Sequence, residues 1–120
     1  YVEVIPPEKR GDMIKAYAEI FAKDPTTETE RAYQQRAATA WTVYEGVCSY
    51  LKQDMDDIGR FADPRFGRVF AMIENHYFMN GVFLGGRGEG NRDQNYILQN
   101  LSAIKDIPMY IVHGRFDQVC

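Results

Sequence analysis

Only one stretch of this sequence has the density of β-branched and aromatic residues that marks a buried strand, and one strand cannot pair with itself. It is Tyr110-Ile111-Val112, inside the final run IPMYIVHGRFDQVC from Ile107 to Cys120. The run ends at Gly114, which permits a sharp change of direction, and then presents a carboxylate, Asp117, on what a strand would make a rigid base. Everything before it is patterned for helices. The expectation is a mainly α chain: one helical domain over residues 1–106, and a strand and turn over 107–120 whose sheet neighbours lie outside these residues. Such a chain reads as a piece of something larger.

The helical signals are specific. Pro6 and Pro7 suit a turn or a first helical turn, and Met13, Tyr17, Ile20 and Phe21 recur at helical spacing until Asp24-Pro25 ends the stretch. Thr27 followed three residues later by Glu30 matches a capping box, predicting a helix through Tyr33, Ala37, Trp41, Tyr44 and Cys48 to about Leu51. A short helix is expected over Met55–Phe61. Asp63 with Pro64 is an N-cap followed by proline at the first helical position, predicting a helix to Asn80 before Gly81. Gly85 to Gly90 (GGRGEG) reads as a loop, and because it follows no strand it is not a phosphate-binding fingerprint. A last helix is expected from about Asp93 to Ile104.

Composition narrows the class. With 120 residues, 45% hydrophobic and 13% aromatic, the chain has material for one core. A net charge of −3 with scattered basic residues argues against a nucleic-acid surface, and no apolar run approaches a membrane span of about 20 residues. Its opening residues do not have the charged-then-apolar pattern expected of a signal peptide. Cys48 and Cys120 form no CxxC pair, which favours a reducing compartment and makes the cytoplasm the expected location. His76 and His113 lack metal-ligand spacing, so no metal is expected. His76 reads as a structural histidine, and Ser49 and Ser102 lack the elbow of a catalytic serine.

Two glutamates stand where the pattern asks for apolar residues. On the helix after Pro64, Phe66, Phe70, Glu74 and Phe78 fall four apart, flanked by Val69, Ile73 and Tyr77, aromatics expected mostly in the core. On the preceding long helix, Glu45 follows Trp41 by four, with Cys48 three further on. A carboxylate facing an apolar interior costs several kcal/mol unless a cation or several donors compensate. One reading is structural: an ion pair with Arg36, Arg65 or Arg68, or simply a glutamate at the edge of a wide stripe. The other is a site for a cationic ligand group.

The segments WTVYEG (Trp41 to Gly46), IENHYF (Ile73 to Phe78) and HGRFDQVC (His113 to Cys120), in this order, together with the opening PPEKRGD, resemble the proline iminopeptidases (prolyl aminopeptidases) of the α/β-hydrolase superfamily. The resemblance implies a helical cap, or lid, inserted into a hydrolase, followed by one strand remnant of its sheet. It implies that Asp117 is the acid of a Ser-His-Asp triad, and that Glu45 and Glu74 receive the free α-amino group of the substrate. Phe78, Val119 and Cys120 would lie by the pyrrolidine ring. The implied reaction is release of N-terminal proline from a peptide by serine acylation, without metal or cofactor. The nucleophile, oxyanion donors and catalytic histidine would come from the rest of the hydrolase domain, so this chain alone is expected to be inactive. Phe116 departs from the family's more usual tyrosine, and GGRGEG lengthens the link from cap to strand.

Two other readings compete. A stand-alone helical interaction module would bind a protein through its apolar faces, and the cap of a different α/β hydrolase, such as an epoxide hydrolase or esterase, would have no ammonium to bind. Convergence of Glu45 and Glu74 favours the aminopeptidase; separate arginine pairs favour the module. Without its sheet, the strand and the underside of the cap are expected to self-associate or to lose order.

Overall fold

The computed structural model describes residues 1–52, 55–84 and 96–117. Five α-helices lie among them: α1 Met13–Phe21, α2 Glu28–Cys48, α3 Met55–Phe61, α4 Pro64–Met79 and α5 Tyr96–Gln99. The first, second and fourth build the core, and the segment before α1 lies over them in two 3₁₀ turns, Val2–Val4 and Pro7–Lys9.

Each main helix starts on a side-chain cap, two of them on the residues that the sequence marks. Asp12 accepts from the Lys15 amide at 3.0 Å to begin α1. Thr27 accepts from the Glu30 amide at 3.2 Å while Glu30 accepts from the Thr27 amide at 3.0 Å, the reciprocal box that opens the 21-residue α2. Asp63 accepts from Arg65 and Phe66 ahead of α4. The end of α1 is tied to α2 by Gln34, whose buried amide donates to the Ile20 and Lys23 carbonyls at 3.0 Å each. Buried Asn75 ties α4 to α1 by donating to the Ile14 carbonyl at 2.8 Å. These amides satisfy backbone groups that a helix crossing would otherwise bury unpaired.

The core gathers Ile5, Ala16, Tyr17, Phe21, Ala37, Ala38, Trp41 and Ala71. Small residues set its spacing. A Cβ on Gly67 would meet Thr42 Oγ1 at 3.1 Å, and the Thr42 hydroxyl donates to the Phe61 carbonyl at 2.7 Å, locking the α3–α4 corner onto α2. A Cβ on Gly46 would come within 2.6 Å of the Phe61 ring.

This close crossing corrects one expectation. The face of α4 that enters the core is Gly67, Ala71 and Asn75, not the aromatic stripe, because only small side chains let α4 approach α2 and α1. Phe66, Val69, Ile73, Tyr77 and Phe78 are exposed. Phe66, Val69, Phe70, Ile73 and Tyr77 border an open groove of about 750 Å³ that Glu74 also lines.

The last segment departs further. The helix expected from Asp93 to Ile104 appears as α5 and a 3₁₀ turn, Leu101–Ala103, separated at Asn100, whose side-chain amide donates to the Tyr96 carbonyl at 2.7 Å and closes the turn locally. Residues 107–113 form no strand; Tyr110 and Val112 are 95% and 98% exposed, as an apolar run must be when no neighbour supplies a ladder. The turn after it is present, the Asp117 amide donating to the Gly114 carbonyl at 3.2 Å. The GGRGEG loop lies outside the described residues. Among the described residues no helix is long and apolar enough to cross a membrane.

Candidate functional site

Trp41 organises the site. It is 1% exposed, with its ring packed by Tyr17 at 5.0 Å, Tyr1 at 5.9 Å, Phe78 at 6.1 Å and Phe21 at 6.4 Å. Those contacts aim the indole N–H out of the core toward α4, where Nε1 donates to Glu74 Oε2 at 2.6 Å. A charge-assisted bond of that length holds the carboxylate firmly. Glu45 lies one turn after Trp41 on α2, and Phe78 one turn after Glu74 on α4, so four residues from two crossed helices meet at one place.

Glu45 is half-buried, and its carboxyl is raised above the usual range, chiefly by burial and then by the negative charge of Glu74. The same two charges reach Tyr1, whose hydroxyl is pushed up to about 12, by burial first, then by Tyr44, Glu45 and Glu74. The Tyr1 ring stacks on Tyr44 at 4.3 Å and on Tyr17 at 5.0 Å, and the Tyr17 hydroxyl donates to the Tyr1 carbonyl at 2.7 Å. Two carboxylates thus share a partly desolvated, aromatic-walled spot. Among the described residues neither is in an ion pair, and Arg36 instead covers the Tyr33 ring, 5.5 Å from its centroid. The structural-pair reading with arginine is not what forms.

The arrangement therefore carries excess negative charge beside π-faces, which suits a small organic cation: carboxylate oxygens accept its N–H groups and the aromatic faces attract its charge. Among the described residues no cluster of three or more His, Cys, Asp or Glu side chains is disposed to hold a metal ion.

Of the residues singled out from sequence, the structure brings Glu45, Glu74 and Phe78 together. Asp117 sits at the C-terminal turn, its carboxylate 3.5 Å from His113 Nε2. Val119 and Cys120 lie outside the described residues. His76 is at the end of α4, its ring tilted against Phe83 with centroids 5.4 Å apart, and Asn80 donates to its carbonyl at 2.7 Å, a structural setting. The sequence places Trp41 on a helix and in a motif, four residues before Glu45, without marking it, Tyr1 or Tyr44 as a site residue. The i, i+4 spacing of Trp41 and Glu45 carried a usable signal; nothing in the spacing announced Tyr1, which arrives through the tertiary fold.

No family model matches the chain. It is 42% identical over all 120 residues to a proline iminopeptidase of Xylella fastidiosa (strain 9a5c), covering 34% of that protein. It is 41% identical over 120 residues to a probable proline iminopeptidase of Leptolyngbya boryana, again 34% of its length. Against a proline iminopeptidase of Arabidopsis thaliana it is 32% identical over 119 residues, covering 28% of that protein. The mainly helical fold is consistent with a helical cap fragment. The chain is homologous throughout to the proline iminopeptidases, and it spans about a third of the length of the curated relatives it matches.

Proposed function

We propose that this chain is the substrate-recognition cap of a serine aminopeptidase that releases proline from peptide N-termini. One observation carries the reading: Glu45 and Glu74 come together from two helices with no basic side chain paired to either among the described residues. The names of the relatives agree with it.

The chemistry fits the substrate. An N-terminal proline carries a secondary ammonium with two N–H donors, and two carboxylates offer one acceptor each. Bringing that cation between them offsets their mutual repulsion and the cost of their partial burial. A blocked N-terminus lacks the charge. Phe78, with Val119 and Cys120, walls the apolar pyrrolidine ring. Asp117 accepts a hydrogen bond from the catalytic histidine and stabilises its imidazolium, while serine and histidine come from the remaining hydrolase domain. The exposed Phe66, Val69, Ile73 and Tyr77 face of α4 is the surface that meets that domain.

The test is Glu45→Gln and Glu74→Gln in the complete enzyme. Each removes a charge-assisted bond to the ammonium, so kcat/KM for a prolyl p-nitroanilide should fall about tenfold or more, with a larger relative loss than for a small neutral ester. Unchanged prolyl kinetics in both variants would refute the role.

A further inference from the structure

We infer that Trp41 is a positioning residue for amine recognition: its indole N–H occupies one oxygen of Glu74 and fixes the other as the acceptor that meets the substrate. This rests on the amine-site reading above and adds a division of labour within it. The donor distance is 2.6 Å, and the ring that supplies it is almost fully buried against Tyr17, Phe21, Tyr1 and Phe78. A side chain so enclosed has one rotamer open to it, so the N–H direction is set by the core. Glu74 has two oxygens and a flexible stem; with Oε2 engaged, its remaining freedom is small. Oε1 has no hydrogen-bond partner among the described residues, and no buried side-chain oxygen or nitrogen there goes unpaired, so Oε1 is not fully enclosed, and Glu74 lines the open groove along α4.

Glu45 has no matching restraint: no hydrogen bond to its carboxylate is present among the described residues. The pair is therefore asymmetric. Glu74 is held in place before the amine arrives, and Glu45 adjusts around it. Pre-setting one acceptor lowers the ordering cost of binding, the usual source of affinity in a preorganised site. Two jobs meet in Trp41, since the ring is core and the N–H is site. A core role alone needs only the ring.

That distinction sets the experiment, done in the complete enzyme. Replacing Trp41 with benzothienylalanine keeps the bicyclic shape and removes only the N–H; Trp41→Phe is the genetically encoded companion. The ratio of kcat/KM for proline p-nitroanilide to that for p-nitrophenyl acetate should fall about tenfold in both, mainly through KM, as expected when one hydrogen bond to a charged group is lost. An unchanged ratio in the benzothienylalanine enzyme, or a parallel fall for both substrates, would overturn the inference and leave Trp41 a packing residue. Glu74→Gln separates the two levels. If it leaves the ratio unchanged, the amine site itself is wrong; if it lowers the ratio while the Trp41 replacements do not, only the positioning role fails.

Discussion

Replacing Gly46 by alanine sets two known effects against each other, and the structure decides which wins. Gly46 is inside α2, where glycine costs about 1 kcal/mol relative to alanine, so helix propensity alone makes Gly46→Ala stabilising by that amount. Yet an alanine Cβ would stand 2.6 Å from Phe61 Cδ2 and 2.7 Å from Cγ, far inside van der Waals contact. Cγ is the root of the ring, so no swing of the far edge relieves the clash. The ring is also hemmed in by Phe66 at 5.8 Å, Phe70 at 6.3 Å and Tyr50 at 6.4 Å, and the Phe61 carbonyl is held by the Thr42 hydroxyl at 2.7 Å. Overpacking costs about 1–3 kcal/mol, and a clash at the root of a hemmed-in ring belongs to the upper part of that range, about 2–3 kcal/mol, so a net loss of about 1–2 kcal/mol remains after the propensity gain. In urea denaturation of the 120-residue chain followed by far-ultraviolet circular dichroism, that lowers the midpoint by about 0.5–1 M. A second change, Phe61→Leu, should recover most of the Gly46→Ala loss when the two are combined, giving a coupling of about 1 kcal/mol. A Gly46→Ala chain more stable than the parent, or one whose loss is unaffected by Phe61→Leu, would show that α3 does not sit against α2 as described.

Thr27→Ala removes one half of the capping box at the start of α2 and should destabilise the chain by about 1 kcal/mol in the same denaturation assay; no loss would mean that the box does not hold this helix end. The Glu30 carboxyl is held down to about 2, by the Thr27 amide first, so the stability it contributes is present above its ordinary range, near 4.5, and should fade as pH drops toward 2, an effect that Glu30→Gln abolishes in melting curves taken across that window. Glu45 has the opposite sign. Its carboxyl is raised by burial and by Glu74, so its ionised form disfavours the fold as pH rises through that raised value; Glu45→Gln should melt higher than the parent at pH 7, with the gap closing below the ordinary carboxylate range. A Glu45→Gln chain that melts lower at pH 7 would contradict the assigned surroundings of Glu45.

The parts of this molecule legible in the sequence are those decided within a few residues. Thr27 with Glu30, and Asp63 with Pro64, each name a helix start, because a cap is a contact between neighbours in the chain. Which face of α4 is buried was not legible. Hydrophobicity pointed to Phe66, Phe70 and Phe78, whereas the crossing is governed by the closeness that Gly67 and Ala71 allow, a property of two helices at once. The final apolar run carries strand propensity without a strand for a related reason: the hydrogen bonds that would realise it belong to a partner, and propensity is silent on whether the partner is present.

The glutamates were legible through a conflict of levels. Glu45 and Glu74 break an apolar pattern, and breaking it costs energy that a purely structural sequence would shed by mutation to leucine or glutamine. What the sequence withheld was how that cost is contained. Trp41 meets part of it for Glu74 with one N–H, a contact between residues 33 apart that no spacing rule reaches, and Glu45 is left with its burial and its like-charged neighbour largely uncompensated. A site that held both carboxylates equally well with its own donors would have less to gain from an incoming ammonium. The uneven support found here, one acid fixed and one in want of a counter-charge, is the arrangement in which a cation adds most to the stability of the whole, and it gives the proposed specificity for a free amine a physical cause.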